Sequence, residues 1–219
     1  MQPHTRLLLC LASLPCLLLA CTPVPPASAQ DSQSSDTAAI SAPINTPIST
    51  PGMPQFAPAA LVNEASALTQ RFMGTLLPTL QAAMDAGGPL NAVDVCAVEA
   101  PKIAQQLSEE SGWDVTRVSL KARNDSTAIP DGWEKQVLNV FDARQAAGES
   151  PATLNVAEVV NGSFRYMQAQ GTMPLCLTCH GSEVTAEVLS AIRQKYPNDL
   201  AIGYQAGQVR GAISLSKAL

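Results

Sequence analysis

The chain has 219 residues, a formal net charge of −5 and an aromatic content of only 4%. That length leaves room for one domain of ordinary size plus a leader and a tether. The acidic balance gives no basic surface on which to argue nucleic-acid binding, and so few aromatic side chains leave a core that a large apolar ligand would help to fill.

Residues 1–20 read as a lipoprotein signal peptide, with Arg6 as the positive region and Leu7 to Ala20 as an apolar run too short to span a bilayer. Leu18-Leu19-Ala20-Cys21 is a lipobox, which makes Cys21 the lipidated first residue of the mature chain. The competing site follows Ala27-Ser28-Ala29, but Pro23, Pro25 and Pro26 separate it from the apolar run. Either cleavage places the mature protein outside the cytoplasm; the lipobox makes it periplasmic and attached to the membrane through N-terminal lipid. Residues 21–58 are rich in Pro, Ser, Thr and Ala and cannot bury enough surface to offset ordering entropy, so they read as a tether. The folded domain is expected over 59–219.

Ala59 to Ala86 has helical spacing, with Leu61, Ala65, Leu68, Phe72, Leu76 and Leu80 on one side and Gly87-Gly88-Pro89 as the stop. Pro78 is expected to kink or split this helix. A second helix runs from Leu90 to about Ser111, and Pro101 is expected to break or bend it, leaving Cys96 on a short first segment. Trp113 to Leu120 reads as a strand. Asp131 and Glu134 have the spacing of a capping box at the start of a third helix that Gly148 closes. Thr153 to Gln168, centred on Asn161-Gly162, reads as a hairpin. Thr185 to Tyr196 is an amphipathic helix stopped by Pro197, and Val209 to Leu215 a last strand. The order implies an α+β fold with an antiparallel sheet.

Cys176-Leu177-Thr178-Cys179-His180-Gly181 carries the chemistry. C-x-x-C-H is the pattern of covalent haem c attachment: two thiols add to the two vinyl groups of a porphyrin and the adjacent imidazole ligates iron. A zinc site could be counted from Cys96, Cys176, Cys179 and His180, but adjacent Cys179 and His180 converge poorly on one small ion. A redox dithiol gives the histidine no role. One motif means one haem. Of the two histidines, His4 leaves with the leader, so a second axial ligand must come from Cys96 or from Met73, Met84, Met167 or Met173. Arg117, Lys121 and Arg123 read either as partners of the haem propionates or as a solvated basic edge. No residue set suggests hydrolytic catalysis, so the chain is not expected to be an enzyme.

Val95-Cys96-Ala97 with Ala100-Pro101, Arg117 to Asn124, Pro130 to Glu134 and the haem motif together resemble a family of single-haem c-type proteins with a PAS-like fold, over about Ala59 to Leu219. The resemblance implies a PAS-like antiparallel sheet flanked by helices, haem ligation by His180 and Cys96, and redox or gas sensing. Asp125-Ser126-Thr127-Ala128 departs from the family's usual run after Asn124. The function expected is that of an exported redox- or gas-responsive haem protein. The alternative is an electron-transfer monohaem cytochrome c. With no kinase, cyclase or receiver segment of its own, a sensor of this kind needs a separate signalling partner, and a carrier needs a redox partner.

Overall fold

The computed structural model describes residues 58–219. The expected signal peptide, the expected lipidation residue Cys21 and the expected tether up to residue 57 lie outside the described residues.

Helix α1 (Ala59–Ser111) consists of two limbs joined at Gly87 (φ −158°, ψ 16°) and Gly88 (φ 69°, ψ −163°). The expected stop is therefore a kink, and Asn91 clasps it by donating from Nδ2 to the Ala83 carbonyl at 2.9 Å. Two expectations need correction: the helix is not split at Pro78, and Pro101 does not set Cys96 on a short segment of its own, because the backbone stays helical at both prolines. Both prolines occupy exposed positions, where a displaced carbonyl can turn to water. An interior proline costs about 3 kcal/mol. Burial of large neighbours such as Phe72, Leu76 and Ile103, at about 1.5–3 kcal/mol each, offsets that cost.

Gly112, in the left-handed conformation (φ 71°), ends α1 and turns the chain into strand β1 (Asp114–Val118). The capping box forms as the spacing requires: Asp131 accepts from the Glu134 amide and Glu134 from the Asp131 amide, each at 2.8 Å, opening helix α2 (Gly132–Ala146). Strands β2 (Asn155–Val160) and β3 (Ser163–Gly171) form the hairpin, with Asn161 (φ 50°) and Gly162 (φ 79°) supplying the two left-handed residues of a tight turn. A short helix α3 (Leu177–His180), helix α4 (Ala186–Lys195) capped by Thr185, and strand β4 (Val209–Ala218) complete the chain. The strands make one antiparallel sheet in the order β1-β4-β3-β2. This is the α+β layout expected, with a helix on either face.

Side-chain alternation along the strands divides the core. Val115, Phe164, Tyr166, Ile213 and Leu215 face α1 and meet Leu68, Phe72, Ile103 and Leu107. Trp113 joins them, edge-on to Phe164 at 5.7 Å between ring centres. On the other face Val118, Met167, Ala169 and Ala212 meet Val137, Leu138 and Phe141 of α2. A third cluster sets Val188 and Ile192 of α4 against Val93 of α1. The second limb of α1, β1 and the α3–α4 region thus surround a common space. Among the described residues no helix is long and apolar enough to cross a membrane.

Candidate functional site

A tight turn at Pro174–Cys176 runs directly into α3, so one compact unit presents Cys176, Cys179 and His180. Gly181 ends that unit. Its amide donates to the Leu177 carbonyl at 2.9 Å, and a Cβ there would lie 2.6 Å from that same oxygen. The Tyr204 amide donates to the His180 carbonyl and the Gly203 amide to the Gly181 carbonyl, both at 2.9 Å, which pins the motif to the 201–204 segment. Gly181→Ala is accordingly expected to destabilise the domain by about 1–3 kcal/mol, because backbone must shift to relieve the overlap. A thermal melt compared with wild type measures this, and an unchanged melting temperature would show that the turn yields freely.

His180 Nδ1 lies 2.8 Å from the Ala201 carbonyl oxygen. A carbonyl only accepts, so Nδ1 carries the proton and the Nε2 lone pair is left to bind a metal. Burial, reinforced by the nearby positive charge of Arg123, depresses the His180 pKa to about 3. The imidazole is therefore neutral at any physiological pH, the form a metal requires.

Arg123 holds the ends of this arrangement together. Its Nη2 donates to the Cys179 carbonyl at 2.5 Å and to the Ala201 carbonyl at 3.1 Å, while its Nε meets Asp199 Oδ1 at 3.1 Å. The Asp199 side chain is only 3% exposed, so its charge is neutralised in place by this pair.

Cys96, on the second limb of α1, opens onto the same cavity as Cys176, Cys179 and His180, a space of about 480 Å³ walled largely by apolar side chains of α1. That volume is in the range of small-molecule and cofactor sites. All three cysteines are unpaired. Burial pushes the thiols of Cys96 and Cys179 above their usual range, against the lowering influence of Arg123 on both and of Arg117 on Cys96. Among the described residues, no three or more Cys, His, Asp or Glu side chains gather closely enough to hold one metal ion. The four candidate ligands are thus spread around a wide space and do not form the tetrahedral Cys₃His zinc site. Met73, Met84 and Met173 also line the cavity, whereas Met167 is fully buried on the opposite face of the sheet, against α2.

The three basic residues separate. Arg117 lines the cavity, with its guanidinium over the Phe72 ring at 5.8 Å and its Nη2 3.3 Å from Gln170 Oε1. Burial lowers its pKa. Arg123 reaches the wall but spends its donors on Cys179, Asp199 and Ala201. Lys121 points elsewhere: its ammonium donates to the Ile202 carbonyl at 2.5 Å and sits 4.3 Å from the centre of the Tyr204 ring. The physical reason is a turn after β1, in which Ser119 Oγ accepts from the Lys121 amide and donates to the Arg210 carbonyl, ending strand alternation before Lys121. Arg210, which sequence reasoning missed, also lines the cavity and places its Nη2 2.9 Å from Gln170 Oε1.

The described chain is similar to the crystal structure of the cyanobacterial heme-protein Tll0287, with 26% identity, a TM-score of 0.53, and coverage of 73% of this chain and 93% of that one. No curated protein matches. Residues 32–217 match the family described as Tll0287-like, which takes in the cavity, the Cys176–His180 unit and Cys96. On that match over most of its length, the chain belongs to the Tll0287-like family.

Proposed function

We propose that the protein binds one haem, covalently through Cys176 and Cys179, with His180 and Cys96 as axial ligands, and that it serves outside the cytoplasm as a redox- or gas-responsive sensor. The observation that carries this is the arrival of Cys96, from α1, on the cavity that Cys176, Cys179 and His180 also line, with His180 Nδ1 held by the Ala201 carbonyl. The residues present fit a haem. The apolar walls suit a porphyrin face, the thiols are free, and Arg117 Nε is buried without a partner, as a group awaiting an acceptor would be. The kinship with a protein described as a heme-protein supports the same reading.

A haem bound there supplies an iron that alternates between two charge states and offers axial positions for ligands. The protein's part is to orient and to tune. The Ala201 carbonyl fixes the His180 tautomer, Arg123 locks the motif against the 199–201 segment, and the α1 wall excludes water. Cys96 rests as a thiol unless a positive centre stabilises its anion, which makes it the responsive group of the site.

The test is a pyridine haemochrome spectrum and a metal analysis of the full-length protein, exported in a host with haem c maturation. One haem per chain, with the band position of a porphyrin whose vinyl groups are both saturated, is expected. Zinc in place of iron, or a haem with intact vinyl groups, would overturn the assignment. Attachment to the membrane rests on Cys21. Cys21→Ala is expected to move essentially all the protein from the membrane fraction to the soluble one while the haem spectrum stays unchanged. An intact mass showing unmodified Gln30 as the first residue of the wild type would replace lipidation by ordinary cleavage.

A further inference from the structure

Three guanidiniums line the cavity, and their partners differ in kind. Arg123 is neutralised by Asp199. Arg117 and Arg210 instead both direct an Nη2 at one neutral atom, Gln170 Oε1, at 3.3 and 2.9 Å. Neither has a carboxylate within ion-pair distance among the described residues. Two like charges brought to one uncharged oxygen repel each other, and partial burial strengthens that repulsion. Arg117 is held in place regardless, over Phe72, with its Nε buried and unpartnered. Among the described residues, the carboxylate on the wall, Asp114, is exposed and pairs with neither arginine.

The orientation of Gln170 is itself dictated by this arrangement. With its carbonyl oxygen between two cations, its amide nitrogen must turn away, and it lies 3.6 Å from Met73 Sδ. The opposite orientation would set an NH₂ group against two guanidiniums. Gln170 is therefore a neutral placeholder: it satisfies one donor on each arginine and leaves the remaining donors and both charges uncompensated.

We propose that Arg117 and Arg210 form a paired guanidinium clamp for the two carboxylates at one edge of the bound tetrapyrrole, with Gln170 as the positioning residue that holds the pair apart and aimed. This rests on the haem reading and assigns the site its carboxylate end. An apolar cavity with two unmatched cations on one wall fits an amphipathic dicarboxylate. Arginine forks accept carboxylates in bidentate fashion, which a single amide oxygen cannot reproduce.

The experiment uses the full-length haem-loaded protein and reads the pH dependence of its midpoint potential together with the resonance Raman bands of the propionates. Arg210→Gln is compared with Arg210→Lys, with Gln170→Leu, and with Arg193→Gln on the exposed surface of α4 as control. Loss of one clamp charge is expected to raise the pKa of a propionate by about 1–3 units, bringing a pH-dependent segment of the potential into the mildly acidic range and shifting a propionate band. Lysine should restore the pH profile but not the band, because it keeps the charge and loses the fork. Gln170→Leu should broaden the propionate bands while the haem is retained. Arg210→Gln and Gln170→Leu both indistinguishable from wild type in profile and bands, on protein that carries its full haem, would overturn the clamp and leave the haem assignment standing. A wild-type protein without haem would overturn both.

Discussion

Replacing both Cys176 and Cys179 by alanine is expected to leave a polypeptide from which acid acetone removes every trace of haem, where the wild type retains all of it. The two thiols are unpaired and sit on one rigid unit, the turn at Pro174–Cys176 continuing into α3. Two residues between them on a helical turn set the sulfurs at a fixed separation suited to two vinyl groups along one porphyrin edge. Each single variant keeps one thioether and should keep its haem through a denaturing gel, with the haemochrome band displaced by one restored vinyl group. The double variant keeps His180 and Cys96, so any haem it collects is held by coordination and packing alone and leaves on denaturation. Stain for haem on a denaturing gel reads all four proteins at once. Haem that survives extraction in the double variant would mean that attachment lies elsewhere, and the motif would lose its meaning here.

The order of elements was legible because each carries a local signal. The Asp131–Glu134 capping box and the Asn161-Gly162 turn act within a few residues of themselves, and both form as the spacing requires. The prolines misled for a related reason. The rule that an interior proline breaks a helix weighs a local cost, whereas α1 is held by a buried face that runs past both Pro78 and Pro101. Of the residues that line the cavity, Cys176, Cys179 and His180 stood out in the sequence by their spacing, and Cys96 stood level with the methionines until the family resemblance favoured it. Arg210 was not. Simple alternation groups it with Ala212 and Ser214, on the α2 side of the sheet, but the pairing of β3 with β4 shifts register between Gln170 and Gly171, opposite Gly211 and Val209. The shift re-aims Arg210 toward the cavity, as irregularities at strand ends commonly do. The signal the sequence offers is Gly211, a glycine inside a strand pattern, and it does not say which way Arg210 turns. Lys121 shows the converse: it follows Arg117 with strand parity, yet the turn at Ser119 removes it from the wall. Side chains within a regular strand were predictable, and those just beyond its ends depended on contacts made by distant residues.

The distal ligand gives the other large effect. Cys96→Met is expected to abolish the low-spin thiolate signature of the ferric protein in EPR and to raise its midpoint potential, since a neutral thioether favours the lower charge state. Cys96→Ala should abolish the same signature and leave an open position that binds added imidazole. An anionic sulfur is attracted more strongly to a trivalent than to a divalent centre. Burial already holds the Cys96 thiol above its usual pKa, with Arg117 and Arg123 opposing that rise. With Cys96 on the iron as proposed, reduction would weaken that attraction and favour protonation of the sulfur, and a neutral thiol is a poor ligand. The reduced wild type is therefore expected to bind carbon monoxide saturably, while the oxidised protein stays closed. Such a release would have a mechanical path, because Cys96 rides on the limb of α1 beyond the Gly87–Gly88 kink, where the backbone leaves helical geometry and the side-chain amide of Asn91 clasps the joint. An electron carrier is served by the opposite behaviour, since ligand exchange adds reorganisation to every transfer. Titrating the reduced protein with carbon monoxide while following the Soret band separates the two. Saturable binding in the wild type supports the sensor. A reduced protein that refuses the ligand and exchanges electrons rapidly with a small carrier protein makes it a cytochrome, and an EPR spectrum unchanged in Cys96→Ala would return the distal position to Met73, Met84 or Met173, which line the same cavity.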